Sequence, residues 1–122
     1  MLESADIIRQ LSSSDTTEVR EAAFAAAENR VEEAVPALAG LLRSSNLGVQ
    51  EAADMALRKI GGGRAVAAVI PLLRSDEAPV RNLSMDLLRA LGGQDLPAVI
   101  KLLHDDDPDI RIFASDILGA CD

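Results

Sequence analysis

Asp105, Asp107 and Asp109 read D-x-D-x-D, and Asp116 falls at the twelfth place counted from Asp105. Carboxylates at that spacing open a calcium loop, because a hard cation is held by oxygens on alternate residues. The loop also needs glycine at its sixth place for a sharp turn; Ile110 stands there, and Pro108 interrupts the ligand run. Capping and solvation of a helix start account for these acids better. "GGGR" (residues 61–64) resembles a phosphate cradle in glycine content, but no strand precedes it and no Lys-Ser/Thr follows. It reads as a boundary between helical units. His104 is the only histidine, and proton transfer would require a pocket and a nucleophile beside it. Cys121 is the only cysteine, so an intramolecular disulfide or a multi-cysteine metal site is excluded and a reducing compartment fits. The expectation is a protein with no catalytic constellation, no cofactor and no metal.

The elements that carry these residues follow from composition. Of 122 residues 48% are apolar, yet Phe24 and Phe113 are the only aromatics, so the apolar content is chiefly alanine and leucine. Such residues favour helices, and few stretches have the β-branched and aromatic content of strands. The net charge of −8, from 20 acidic and 12 basic side chains, opposes nucleic-acid binding, which needs a basic footprint and gains from stacking aromatics. It favours basic partners. The start "MLESADIIRQ" places Glu3 and Asp6 where a signal peptide carries positive charge. The longest charge-free apolar runs, "AVPALAGLL" and "AVAAVIPLL", have nine residues, too few to span a bilayer. A cytoplasmic protein with no membrane partner is expected.

"SDEAPVR" (residues 75–81) and "DDDPDIR" (residues 105–111) are one plan written twice. Aligning on them gives four copies, with anchors Val19, Val49, Val80 and Ile110 spaced 30, 31 and 30 residues apart. Leu11, Leu42, Leu73 and Leu103 keep the same period upstream, at 31, 31 and 30. Periods of this size mark stacked supersecondary units. Each unit reads as two helices. The first are "ADIIRQL", "VPALAGLLR", "AVAAVIPLLR" and "LPAVIKLLH"; the second start at the anchors. Thr16, Asn46, Glu77 (or its neighbour Asp76) and Asp107 are placed to cap the second helices. The glycines of "KIGGG" and "ALGG" suit a left-handed helix end. Arg20, Arg81 and Arg111 follow the anchors, with Asp15, Asp76 and Asp106 five residues earlier, and a charge ladder between neighbouring elbows would use both sets. The expected fold is all-α: an α-solenoid of four stacked helix-turn-helix repeats, about eight helices. The repeats run approximately 1–30, 31–61, 62–92 and 93–122, in a single domain that is complete or a section of a longer array.

A first helix ending in a leucine pair, an Asp-rich turn, Val-Arg, an alanine-rich second helix and a closing Ile-Gly or Leu-Gly resemble the HEAT repeat, in the short variety named after the phycobilisome lyases. "LLRSDEAPVRNLSMDLLRALGG" and "VIKLLHDDDPDIRIFASDILGA" carry the resemblance most fully. Three departures stand out: Gln50 replaces the arginine after the anchor, Arg30 stands where Ile or Leu closes a unit, and Pro71 lies inside a first helix, which it should kink or break. The resemblance implies that the second helices line the concave surface.

With the anchor at position 0, apolar residues gather at positions 0, 3, 4, 7, 8 and 11, while positions 2, 5, 6 and 9 point away. Those outward positions hold Glu21, Phe24, Ala25 and Glu28; Glu51, Asp54, Met55 and Arg58; Asn82, Met85, Asp86 and Arg89; and Ile112, Ser115, Asp116 and Gly119. Acids mixed with Phe24, Met55, Met85 and Ile112 suggest an adaptable surface for a protein or peptide of basic and apolar character. Phe113, Ile117, Leu118 and Cys121, with Ile112, form an apolar end that has no polar helix after it. Such an end continues into a longer array or pairs with a second copy. The leading expectation is a non-enzymatic interaction scaffold. The alternatives are a subunit of a bilin lyase or isomerase, the activity after which this repeat variety is named, and a purely structural or oligomerisation unit.

Overall fold

A computed structural model describes residues 3–121, and among them the only regular structure is helical. The first helices are α1 (Ser4–Gln10), α3 (Val35–Leu41), α5 (Gly62–Val69) and α7 (Leu96–Lys101); the second are α2 (Thr16–Glu28), α4 (Leu47–Ile60), α6 (Ala78–Leu91) and α8 (Pro108–Ala120). Short 3₁₀ turns extend the first helices at Glu32–Ala34, Ile70–Arg74, Gly92–Asp95 and Leu102–His104. The chain belongs to two compact units, Met1–Ile60 with α1–α4 and Gly61–Asp122 with α5–α8. All α-helices of the four expected pairs are present, and the repeat is an all-α fold.

Periodicity explains which side of each second helix is buried. Position 0 is held by Val19, Val49, Val80 and Ile110, none more than 4% exposed. Position 4 is small throughout and fully buried, as Ala23, Ala53, Ser84 and Ala114. Ser84 keeps its hydroxyl satisfied by donating to the Val80 carbonyl at 2.8 Å. In the first unit α2 packs on α4, α1 on α2 and α3 on α4, around Ile7, Leu38, Leu42 and Leu57. In the second unit α6 packs on α5 and α8, and α7 on α8, around Val66, Val69, Leu73, Leu87, Leu88 and Ile117.

Pro71 acts as its chemistry requires: α5 ends at Val69 and the chain continues as a 3₁₀ turn, because proline has no N–H for the α ladder. Left-handed backbone also appears where the glycines suggested it, at Gly61 (φ 60°) and Gly62 (φ 83°). A Cβ on Gly61 would lie 2.8 Å from Gln94 Oε1, the movable end of a side chain, so it is the positive φ that favours glycine there. The "ALGG" expectation is corrected: Gly92 has right-handed geometry (φ −56°). Its value is spatial, since a Cβ would sit 3.1 Å from both Cys121 Sγ and Ile117 Cγ2.

Arg30 supplies the left-handed residue that ends α2 (φ 48°). The Val31 N–H donates to the Ala26 carbonyl at 2.9 Å and the Arg30 N–H to the Ala27 carbonyl at 3.3 Å, the paired bonds of a Schellman end. The irregular closing residue of the first repeat is thus an arginine in a glycine's place.

Candidate functional site

Each elbow is built from a side chain that arrests the turn and a cap that starts the second helix. Ser13, Ser44 and Ser75 accept from the N–H two residues on at 3.0–3.1 Å, and Asp105 does the same at 2.9 Å. These four residues keep the 31, 31 and 30 spacing of the leucines. Their role was overlooked in the sequence, although the period itself marks them. The caps are Asn46, which accepts from the Val49 N–H at 3.0 Å, and Asp107, which accepts from the Asp109 N–H at 2.8 Å. In the first repeat Asp15, not Thr16, is the cap, accepting from Thr17 at 2.9 Å. The Glu77 side chain makes no cap bond at α6.

The expected ladder is corrected in its members. Arg81 Nη1 donates to the Ser75 carbonyl at 2.7 Å, and Arg111 Nη1 to the carbonyls of Asp105 at 2.7 Å and Asp106 at 3.2 Å. These arginines satisfy carbonyls that a helix end leaves without partners. Gln50 donates from its amide to a different carbonyl, that of Leu42 at 2.9 Å, so the departure at that position still satisfies a first-helix end. The link between elbows is Arg74 to Asp105, with Nη1 3.3 Å from Oδ1 and a shorter contact from Nη2 to Oδ2. The Arg74 hydrogen bond, then the Asp107 N–H, hold the Asp105 carboxyl below the usual carboxylate range. The Asp105 and Asp107 carboxylates of the D-x-D-x-D run are therefore engaged as elbow parts, and no group of three metal-ligating side chains occurs among the described residues. The "GGGR" helix start is occupied likewise, since Gln94 Oε1 accepts from the Gly62 N–H. His104 is exposed and lines an open cleft of ≈ 610 Å³ with Lys101, Asp105 and Ala67.

On the outward positions of α2 and α4, Phe24 is 51% exposed and Met55 39%. Glu21, Glu28, Glu51 and Arg58 are exposed. Asp54 is half-buried: Oδ2 accepts from Arg58 Nε at 3.0 Å, while Oδ1 is buried with no hydrogen-bond partner. On α6 and α8, Arg89 donates to Asp86 at 2.8 Å and to Asp116 at 2.7 and 3.4 Å. The Asp116 hydrogen bond raises the Arg89 pKa, and the same bond lowers that of Asp116. Ile112 is 65% exposed. Met85 is corrected: at 6% exposure it lies in the interior and offers nothing to a partner.

The apolar end is corrected in one member, Ile117. Ile117 is fully buried, Phe113 and Leu118 are half-buried, and Cys121 Sγ donates to the Ile117 carbonyl at 3.2 Å while half-buried itself. The Ile117 and Cys121 side chains lie beside Gly92 of their own unit. Two further exposed apolar residues were not singled out in the sequence, Leu47 at the start of α4 and Ile100 on α7.

Helix pairs with these elbows are matched by known proteins. The family model of HEAT repeats matches residues 4–89, and that of the single HEAT repeat matches residues 96–121. The chain belongs to the HEAT-repeat family. HEAT repeats in general mediate protein–protein interaction. Among solved structures, an engineered protein aligns with TM-score 0.61 and 23% identity over 98% of this chain and 62% of its own, a likeness of fold alone. The complex of CpcE and CpcF of phycocyanin lyase from Nostoc aligns with TM-score 0.58 and 27% identity, over 98% of this chain and 53% of that one. The HEAT chain described here thus spans less than two thirds of the length of either structure. No curated protein matches it by sequence. Among the described residues no helix is long and apolar enough to cross a membrane.

Proposed function

We propose that this HEAT-repeat chain is a non-enzymatic protein-interaction module that engages a protein or peptide through the outward positions of its second helices. The observation that carries the reading is the exposure of Phe24, Met55 and Ile112 at those positions, among the carboxylates Glu21, Glu51, Asp54, Asp86 and Asp116. Large apolar side chains that serve no core are the usual anchors of interfaces, and the surrounding acids favour a basic partner. The Asp105 and Asp107 carboxylates are engaged within the elbow, by capping and by the ion pair with Arg74.

Site-specific photo-crosslinking in extract of the source cells tests this. A benzophenone side chain replaces Phe24, Met55 or Ile112 in turn, with Leu47 and Ile100 as equally exposed controls. The expected result is one protein cross-linked from the outward positions 24, 55 and 112 and not from the controls. Equal labelling from all five positions contradicts the reading.

A second reading has one specific observation behind it: the alignment with a complex of two lyase proteins. A subunit of such an enzyme would change the absorbance of a bilin mixed with its acceptor protein, and an unchanged spectrum removes that reading.

A further inference from the structure

The two units carry their outward charges differently. On α6 and α8 the outward acids are Asp86 and Asp116, and Arg89 binds both. On α2 and α4 the outward positions hold Glu21, Glu28, Glu51 and Asp54 against a single cation, Arg58. Arg58 pairs with Asp54, and among the described residues Glu21, Glu28 and Glu51 make no ion pair. The same helices expose Phe24 and Met55. The Asp54 carboxylate is held within the chain, paired with Arg58 through Oδ2 and with Oδ1 buried, so the carboxylates open to a partner are the three glutamates.

We propose that the α2–α4 face binds a partner segment that carries arginine or lysine beside large apolar side chains. The inference rests on the interaction reading above and adds the location and the chemistry of the occupant. Arginine suits the surface twice: its guanidinium pairs with free carboxylates in a fork, and it lies favourably over the face of an aromatic ring such as Phe24. Met55 adapts to whichever apolar side chain the segment presents. The ion trio of α6 and α8 leaves that pair of helices without the same demand.

The probe is a synthetic amphipathic peptide of arginine and leucine, compared with counterparts in which glutamate replaces arginine or serine replaces leucine. Each is titrated into the full chain while backbone amide NMR shifts are followed. Shifts gathered in residues 19–28 and 49–58 are expected with the arginine–leucine peptide, and weak or none with the other two. Affinity should fall about tenfold or more in the Glu21→Gln/Glu51→Gln variant and with added salt, and stay unchanged in Asp86→Asn. The variants lie on exposed positions, so an unaltered spectrum away from α2 and α4 certifies the fold. Shifts confined to α6 and α8 would overturn the location while sparing the interaction reading. Equal binding of the glutamate peptide would overturn the charge argument. No binding by any peptide would overturn the inference, and the photo-crosslinks would then decide the interaction reading separately.

Discussion

Arg30 shows how much one side chain can reveal about a local backbone. A non-glycine residue in left-handed geometry is strained by its Cβ, and Arg30 holds that geometry because the Schellman bonds to Ala26 and Ala27 require it. Arg30→Gly should therefore stabilise the protein by about 0.5–1 kcal/mol, the strain relieved being larger than the added freedom of the unfolded chain. Urea unfolding measures it, and a lower midpoint would contradict the assignment. Asp105 gives a prediction in pH. Its folded pKa is lowered from the ordinary 3.8, mainly by Arg74, so its contribution is present above that value and lost as pH falls through the lower folded value. Asp105→Asn keeps an oxygen for the Asp107 N–H and removes the charge. Wild type and variant should differ most near neutral pH and converge below about pH 4 in urea unfolding. A gap that widens in acid would contradict the pairing. Single residues were also where the sequence misled. Position 5 lies about 140° from the anchor, at the flank of the buried arc. Exposure at a flank depends on what packs beside it, so Phe24 is exposed, Asp54 half-buried and Met85 buried at one and the same register.

Elements were far more legible. A period shared by valines and leucines locates both helices of every repeat, because a helix that buries one arc must return apolar residues at fixed intervals. Pro71 announced the break after Val69, since the missing N–H has the same consequence in any sequence. The elbows were found, but their inner bonds were assigned to the wrong partners: carboxylates were expected opposite Arg81 and Arg111, and carbonyls are there. Backbone acceptors have no letter in a sequence, which is why they were passed over. Gln50 tests this picture. Gln50→Ala removes the donor to the Leu42 carbonyl and should cost about 0.5–1.5 kcal/mol, whereas Gln50→Arg should retain most of the contact. If the two variants are equally unstable, the amide is not what holds the elbow. The packing of α2 on α4 through Ala53 and Leu57 gives a stronger effect. Leu57→Ala should cost about 2–5 kcal/mol and Ala53→Leu about 1–3 kcal/mol, by cavity and by overpacking respectively.

At the scale of the whole molecule, the net charge of −8 and the unpaired Glu21, Glu28 and Glu51 describe a surface that repels itself more than it pairs. Added salt should therefore raise the urea midpoint modestly, because screening net repulsion outweighs weakening exposed ion pairs. A midpoint that falls with salt would place more stability in those pairs than their exposure allows. Composition and period made the family legible from the sequence; the partner surface was legible only in part, since unpaired charge and exposure are properties of neighbours in space. Hydrogen–deuterium exchange of the full chain, with and without the protein cross-linked through position 24, tests the central claim most directly. Slowed exchange in residues 19–28 and 49–58 is the predicted result. Protection confined to the first helices, residues 4–10, 35–41, 62–69 and 96–101, would contradict it.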